Sequence, residues 1–255
     1  MKPIIKWAGG KRWAIPLLDS LMHGKHLIDP FLGGAAVPLH FADRFESMAL
    51  NDLNAQLIAT YRTVRALPND VWNALQAIPA NERTYYEVRA RFPNPNNVSH
   101  AADFIYLNKC GFNGLYRVNS KGKFNAPWGK RTPVTMPTRE ELCLFSRTLA
   151  NAQLSEIDFE MMIAGAKRGD LIIADPPYLD TFTSYTKSGF TLQDQRRLAK
   201  ALQAAAKRGV RIIAFNSMKA ASLYRWAKVV ETSERRAINS NGAGRGGKSC
   251  LLITG

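Results

Sequence analysis

The apolar run DLIIA (Asp170–Ala174) stops at an acid, two prolines and a tyrosine: Asp175, Pro176, Pro177 and Tyr178. Proline removes a backbone donor, fixes φ and pushes the preceding residue out of the helical region, so DPPY neither extends a strand nor starts a helix. It makes a rigid turn that aims a carboxylate and a carbonyl at one point, with an aromatic ring beside them. The exocyclic amine of a base carries two hydrogens, one for the Asp175 carboxylate and one for the Pro176 carbonyl. A base bound in this way would have its lone pair localised and pointed outward, with Tyr178 stacked on the flipped ring. Taken alone, the tetrapeptide reads better as a structural proline turn. Two further segments shift that balance. DPFLGGAAV (Asp29–Val37) carries the pair Gly33–Gly34, where backbone can approach a ligand closely. NDLN (Asn51–Asn54) supplies Asp52, an acid able to accept two hydrogen bonds from a ribose diol. Each is weak by itself, since most glycine pairs are turns and most acids at strand ends are solvated.

These segments act together only if a frame gathers them. HLIDPF (His26–Phe31), SMALND (Ser47–Asp52), DLIIADPP (Asp170–Pro177) and VRIIAFNS (Val210–Ser217) predict strands, and the helical patterns between them predict a parallel α/β sheet with crossover helices. In such sheets ligands bind beyond the carboxyl ends of the strands. TLQDQRRLAKALQAAAKRG predicts a helix capped by Thr191 and Asp194, with Leu192, Leu198 and Leu202 on its apolar face and Gly209 closing it. RRAINSNGAGRGGKSCLLIT (Arg235–Thr254) predicts a strand, a glycine-rich turn and a final strand, hence an antiparallel hairpin. The rhythm breaks from about Ala55 to Arg139, where helical segments such as VWNALQAI give way to RFPNPNNVSH and then to the polar, aromatic YLNKCGFNGLYRVNSKGKFNAPWGKR. The economical organisation is one α/β domain in two pieces, residues 1–54 and 140–255, interrupted by an insertion over 55–139.

With 255 residues, 46% of them hydrophobic, the chain can bury a sizeable core. Lys and Arg outnumber Asp and Glu by 35 to 20, a formal charge of +15 that suits a polyanionic partner without deciding the fold. Cys110, Cys143 and Cys250 have neither CxxC spacing nor a histidine-rich neighbourhood and read as reduced thiols, so no metal site is expected. MKPIIKWAGGKRW lacks the apolar core of a signal peptide and no stretch approaches a membrane span, which predicts a cytoplasmic protein with no membrane partner. The oligomeric state stays open, a monomer being compatible with everything above.

In order along the chain, KWAGGK (Lys6–Lys11), DPFLGGAAV, NDLN, YLNKCGFNGLYRVNSKGKFNAPWG, DPPY, SGFTLQDQ and RRAINSNG resemble the Dam-type DNA adenine-N6 methyltransferases of the D12 class. The resemblance runs nearly end to end, and it implies a Rossmann-like methyltransferase sheet with a C-terminal antiparallel hairpin, interrupted by a mainly helical target-recognition insertion with a β-hairpin. It also implies S-adenosylmethionine as methyl donor and duplex DNA as substrate, usually the adenine of GATC, in a bacterial or phage-encoded enzyme. By motif position, Trp7, Lys11, Phe31, the Gly33–Gly34 turn, Asp52 and Asp175 would hold the cofactor, with Lys11 near its methionine carboxylate. Asp158 or Phe159 would edge its adenine. Asp175, Pro176, Pro177 and Tyr178 would form the target-base site, with direct in-line transfer and no covalent enzyme intermediate. In the insertion, Arg117 would read a guanine edge, Leu115 and Pro127 would make apolar base contacts, Asn113 a polar one, and Phe112 would wedge into the stack. Lys6 would touch the outer guanine, while Lys121, Lys123, Lys130 and Arg131, together with Asn241–Lys248, would pass near phosphates.

One departure stands out. The family's F-x-G-x-G turn reads Phe31-Leu32-Gly33-Gly34-Ala35, and a Cβ in the last position costs cofactor affinity if φ there is positive. Two rival readings follow from the same residues. One is an amino-methyltransferase acting on cytosine N4, RNA or a protein amide. The other is a degenerate relative that binds DNA without turnover.

Overall fold

In the centre of the sheet, Leu171–Ala174 is buried on both faces, as its unbroken apolar run requires of a parallel strand. The computed structural model describes residues 1–130, 133–178, 190–235 and 247–255. Arg131, most of Asn241–Lys248, the start of SGFTLQDQ and all but the first residue of RRAINSNG lie outside them. Seven strands form one sheet: β1 (His26–Asp29), β2 (Ser47–Asn51), β3 (Ala152–Ser155), β4 (Leu171–Ala174), β5 (Arg211–Asn216), β6 (Lys228–Arg235) and β7 (Gly247–Thr254). Their order is β3-β2-β1-β4-β5-β7-β6, parallel from β3 to β5, with β7 antiparallel to both β5 and β6. Strand order reverses between β1 and β4, so their carboxyl ends open the crevice where open α/β sheets bind ligands.

Side chains alternate across this sheet with the period of two that strands impose. Leu27, Leu171, Ile173, Ile213 and Phe215 enter one core, while Ile28, Ile172, Ala174, Ile212 and Ala214 enter the other. The first core lies beside α1 (Ile15–Leu18) and α2 (Ala36–Phe41), and it runs on without a break into the segment between β2 and β3. That segment holds α3 (Ala55–Ala66), α4 (Pro68–Gln76), α5 (Glu82–Arg91), α6 (Asn97–Cys110) and α7 (Arg139–Thr148). Asn54, Asn81 and Asn96 cap α3, α5 and α6 through their side chains, each on the backbone N–H three residues on. Between α6 and α7 the chain makes an irregular hairpin, paired at Gly111 with Trp128 and at Val118 with Phe124.

The second core is closed by α8 (Phe159–Ala164) and α9 (Leu192–Lys207). Thr191 and Asp194 form the expected capping box of α9, and Gly209 ends its turn at φ +85°. Leu192 departs from expectation. It is 47% exposed, because the buried stripe begins one turn later, at Gln195, Leu198, Ala199 and Leu202. The apolar face thus contains a fully buried glutamine in place of the first leucine. β3 was not anticipated: AQLS at a sheet edge has only two buried residues and a weak strand pattern. Cys110, Cys143 and Cys250 are free thiols. Among the described residues no helix is long and apolar enough to cross a membrane, and no group of three or more His, Cys, Asp or Glu could hold a metal ion.

Candidate active site

Three strand ends are stitched together by one buried side chain. The Asn51 amide, at the end of β2, donates to the carbonyls of Pro30 (3.2 Å) and Ile157 (3.0 Å), and its oxygen accepts from Ser155 Oγ (2.9 Å) and the Ile157 N–H (2.8 Å). All four hydrogen-bonding capacities of the amide are used, so the loops after β1, β2 and β3 keep a fixed spacing.

Asp52 follows. Its Oδ2 accepts from the Gly33 N–H and its Oδ1 from the Asn54 N–H, both at 2.9 Å. Burial raises its carboxyl above the usual range, against the lowering effect of those two bonds. The Gly33 carbonyl accepts from the buried Tyr61 hydroxyl at 2.9 Å, so this glycine is held from both sides. Gly33 has φ +47°, and a Cβ there would lie 2.6 Å from Trp7 Cδ1; at Gly34 it would lie 2.9 Å from Trp7 Cβ. The glycine pair is therefore required by close approach of a protein side chain, Trp7, through its indole at Gly33 and its Cβ at Gly34. Ala35 does adopt positive φ, at +58°, and is buried. It is the alanine the sequence flagged, and it sits in a conformation that L-residues resist.

Across the crevice, Lys11 reaches the DPPY turn. Its ammonium is 3.0 Å from Asp175 Oδ2, with side-chain exposures of 5% and 26%. It donates also to the Gly9 carbonyl at 2.7 Å, and stands 5.1 Å from the Tyr178 ring centroid. Pro176 and Tyr178 are buried and Pro177 is half-buried. A further acid, Asp29, ends β1 and accepts from the Phe31 N–H at 3.0 Å. Burial lifts its carboxyl well above the usual range, with the charges of Asp175 and Asp52 adding to the effect. Beside it, Phe31, Phe159 and Phe190 form an aromatic wall with centroids 5.6–5.8 Å apart. Asp158 caps α8, and its carboxylate is gripped by Arg197 Nη2 at 3.0 Å to each oxygen. The same guanidinium lies over the Phe159 ring, 4.9 Å from its centroid.

Trp7 also faces the irregular hairpin, stacking on Tyr116 at 6.0 Å, which in turn stacks on Phe104 of α6 at 5.6 Å. Asn108 of α6 clamps the neighbouring residue: it accepts from the Lys6 N–H (2.7 Å) and donates to the Lys6 and Gly114 carbonyls (2.8 and 3.0 Å). Lys6 and the Phe112–Gly114 turn at the base of the hairpin are thus one unit. Around it, Phe112 is 41% exposed and its N–H bonds the Pro127 carbonyl at 2.8 Å. Asn113 is buried at φ +53°, Leu115 half-buried and Pro127 exposed. Arg117 is exposed, its guanidinium aligned by Asn125 through Nε to Oδ1 (2.8 Å) and Nη2 to the carbonyl (2.9 Å). The arrangement offers a paired carboxylate and two aromatic surfaces at one crevice, next to an exposed phenylalanine and an oriented arginine.

Residues 7–238 match the family model described as D12 class N6 adenine-specific DNA methyltransferase. The chain belongs to that family. This adenine-specific DNA methyltransferase is 32% identical to type II methyltransferase M1.LlaDCHI of Lactococcus lactis subsp. cremoris over all of its own length and 95% of the relative's. It is 33% identical to a DNA adenine methylase of Vibrio cholerae serotype O1, covering 96% of this chain and 92% of that one. The DNA adenine methylase of Escherichia coli K12 is 31% identical over 96% and 91%.

Of the residues singled out from the methyltransferase sequence, the structure brings Lys11 to Asp175 and Tyr178, Trp7 and Asp52 to Gly33, and Phe31 to Phe159. Lys6, Phe112, Asn113, Leu115, Arg117 and Pro127 lie in or against the hairpin, apart from that cluster in sequence but joined to it through Trp7 and Tyr116. Sequence reasoning missed Asn51, Asn108, Gln195 and Arg197. A buried amide or a bridging arginine acquires its role from partners far along the chain, and its own neighbours carry no pattern for it. Asp29 was within reach, being the acid of the DPF motif at a strand end.

Proposed function

We propose that the methyltransferase takes its methyl group from S-adenosylmethionine and delivers it to a flipped adenine in duplex DNA, within GATC. The observation that carries this reading is the meeting of Lys11 and Asp175 at 3.0 Å, which joins the glycine-rich cofactor side of the crevice to the DPPY side. The residue chemistry fits the cofactor. Lys11 offers a cation for a carboxylate, Asp52 an acid for a ribose diol, and Phe31 with Phe159 an apolar wall for a purine; Asp158 serves by fixing the first turn of α8 under Phe159. Gly33 leaves Trp7 room to close the same pocket.

When bound, S-adenosylmethionine supplies an electrophilic methyl group. On the protein side, the Asp175 carboxylate and Pro176 carbonyl accept the two amine hydrogens, which localises the nitrogen lone pair, and the prolines keep those acceptors rigid. Lys11 orients the carboxylate through Oδ2. Tyr178 stacks on the extruded ring, offsetting part of an unstacking cost of about a few kcal/mol. Phe112, exposed at the base of the hairpin, fills the gap left in the duplex. Arg117, held flat by Asn125, reads a guanine edge, with Asn113, Leu115, Pro127 and Lys6 completing the base contacts. Lys121, Lys123 and Lys130 meet phosphates. An enzyme of this kind works on chromosomal or phage DNA in the cytoplasm.

The test is incubation of unmethylated duplex DNA with enzyme and S-adenosylmethionine, followed by a nuclease that cuts GATC only when its adenine is methylated. Cutting is expected. Methyl incorporation without cutting would leave the methyltransferase and remove GATC as its site.

A further inference from the structure

Gln195 is fully buried on the first turn of α9, in an otherwise apolar stripe. Its Nε2 donates to the Pro177 carbonyl at 2.9 Å, and its Oε1 accepts from Asn216 Nδ2 at 2.8 Å. Asn216 closes β5, and its Nδ2 also lies 3.3 Å from the buried Tyr224 hydroxyl, while its Oδ1 accepts from the Ser217 N–H at 2.8 Å. The polarity of this chain has no freedom. A carbonyl only accepts, so the Gln195 nitrogen must face Pro177; its oxygen then faces Asn216, whose nitrogen is the donor and whose oxygen turns to Ser217. Burial pushes the Tyr224 hydroxyl up to about 12, so it stays neutral throughout the working range of the enzyme.

The two prolines explain why the anchor comes from a side chain. Pro176 and Pro177 have no N–H, so the turn from Asp175 to Tyr178 lacks two of the donors with which a loop would fasten itself. A carbonyl held from the adjacent strand and helix replaces them. We infer that Gln195, backed by Asn216 and Tyr224, is a positioning residue for methyl transfer: through Pro177 it sets the Asp175 carboxylate and Pro176 carbonyl on one side and the Tyr178 ring on the other. The inference rests on the proposed role of Asp175–Tyr178 as the target-base site.

Two substitutions test it, assayed on the whole enzyme with duplex DNA and S-adenosylmethionine. Gln195→Met keeps the shape and removes both hydrogen bonds; kcat is expected to fall about 10²-fold, with KM for either substrate changed less than about threefold. Gln195→Glu preserves the donor–acceptor pattern while protonated and becomes acceptor-only when ionised, facing a carbonyl. Burial raises such a carboxyl, so kcat relative to wild type climbs as pH is lowered from about 9 to about 6. Circular dichroism at each pH restricts the comparison to folded protein. If Gln195→Met does not fold, the pH profile of Gln195→Glu decides alone. A lowered melting temperature with kcat of either variant within about twofold of wild type at every pH would overturn the positioning role. Asp175→Ala, run beside them, separates the two claims. Turnover retained there defeats the site itself, whereas turnover lost there but intact in the Gln195 variants defeats only the inference.

Discussion

Gly33→Ala is expected to cost about 2–5 kcal/mol of stability, from two separable sources. Forcing a Cβ onto φ +47° contributes about 1–2 kcal/mol. The same Cβ would stand 2.6 Å from Trp7 Cδ1 and 2.8 Å from Nε1, an overlap that something must relieve. Trp7 has little room to retreat, because Tyr116 stacks on it at 6.0 Å. Overpacking of this kind costs about 1–3 kcal/mol. For a chain of this size each kcal/mol moves Tm by about 2–4 °C, so a fall of about 4–20 °C should appear in calorimetry. Repeating the substitution in a Trp7→Ala background divides the two terms. The overlap disappears and the φ strain stays, giving a coupling energy of about 1–3 kcal/mol. Isothermal titration of S-adenosylmethionine should show weakened binding by Gly33→Ala, since Trp7 and the Asp52-bound turn both shift. A Tm loss under about 2 °C, or a loss undiminished by removing Trp7, would refute the packing argument.

Ala35→Gly, two residues on, should be nearly neutral: relief of about 1–2 kcal/mol of left-handed strain is offset by about 0.5–1 kcal/mol of glycine entropy and about 0.8 kcal/mol of lost methyl burial. A Tm change beyond about 4 °C in either direction would contradict that balance. Asp29→Asn should stabilise the protein more at pH 8 than at pH 4. The folded carboxyl is raised well above the ordinary value, so the contribution of Asp29 to stability is fully present below 3.8 and is lost as pH rises through the folded value, at about 1.4 kcal/mol per unit of elevation, while the amide has no such slope. Urea unfolding at the two pH values checks it, and an equal effect at both would count against the buried charge. Arg117→Ala should relax discrimination at one guanine by about 1–3 kcal/mol, whereas Lys121→Ala should weaken all duplexes alike and reduce the salt slope by about 1. Binding to a set of single-base variants, read at several salt concentrations, separates the two.

Much of this architecture was legible where local signals and global frame agree. Apolar runs ending in acids marked β1, β2 and β4, and the box formed by Thr191 and Asp194 marked the start of α9. The pattern failed where burial is decided by distant partners. Leu192 obeyed the helical period yet faces solvent, because Gln195 takes the interior position one turn later to hold a loop 18 residues back. β3 carries too few apolar residues to announce an edge strand, and its pairing with β2 is what makes it one. In the site, the chemical residues were visible by type. Their supports were not: Asn51 binds residues up to 106 positions away and Asn108 binds Lys6 across 102, distances over which a sequence has no period.

Methyl transfer into duplex DNA by wild type and Asp175→Ala, side by side, tests the account most directly. DNA containing GATC is incubated with methyl-labelled S-adenosylmethionine, digested to nucleosides and separated. Label is expected in N6-methyladenine with the wild type and nowhere with Asp175→Ala, with duplex binding by the variant within about threefold of wild type. Label in cytosine, or turnover surviving in Asp175→Ala, would contradict it.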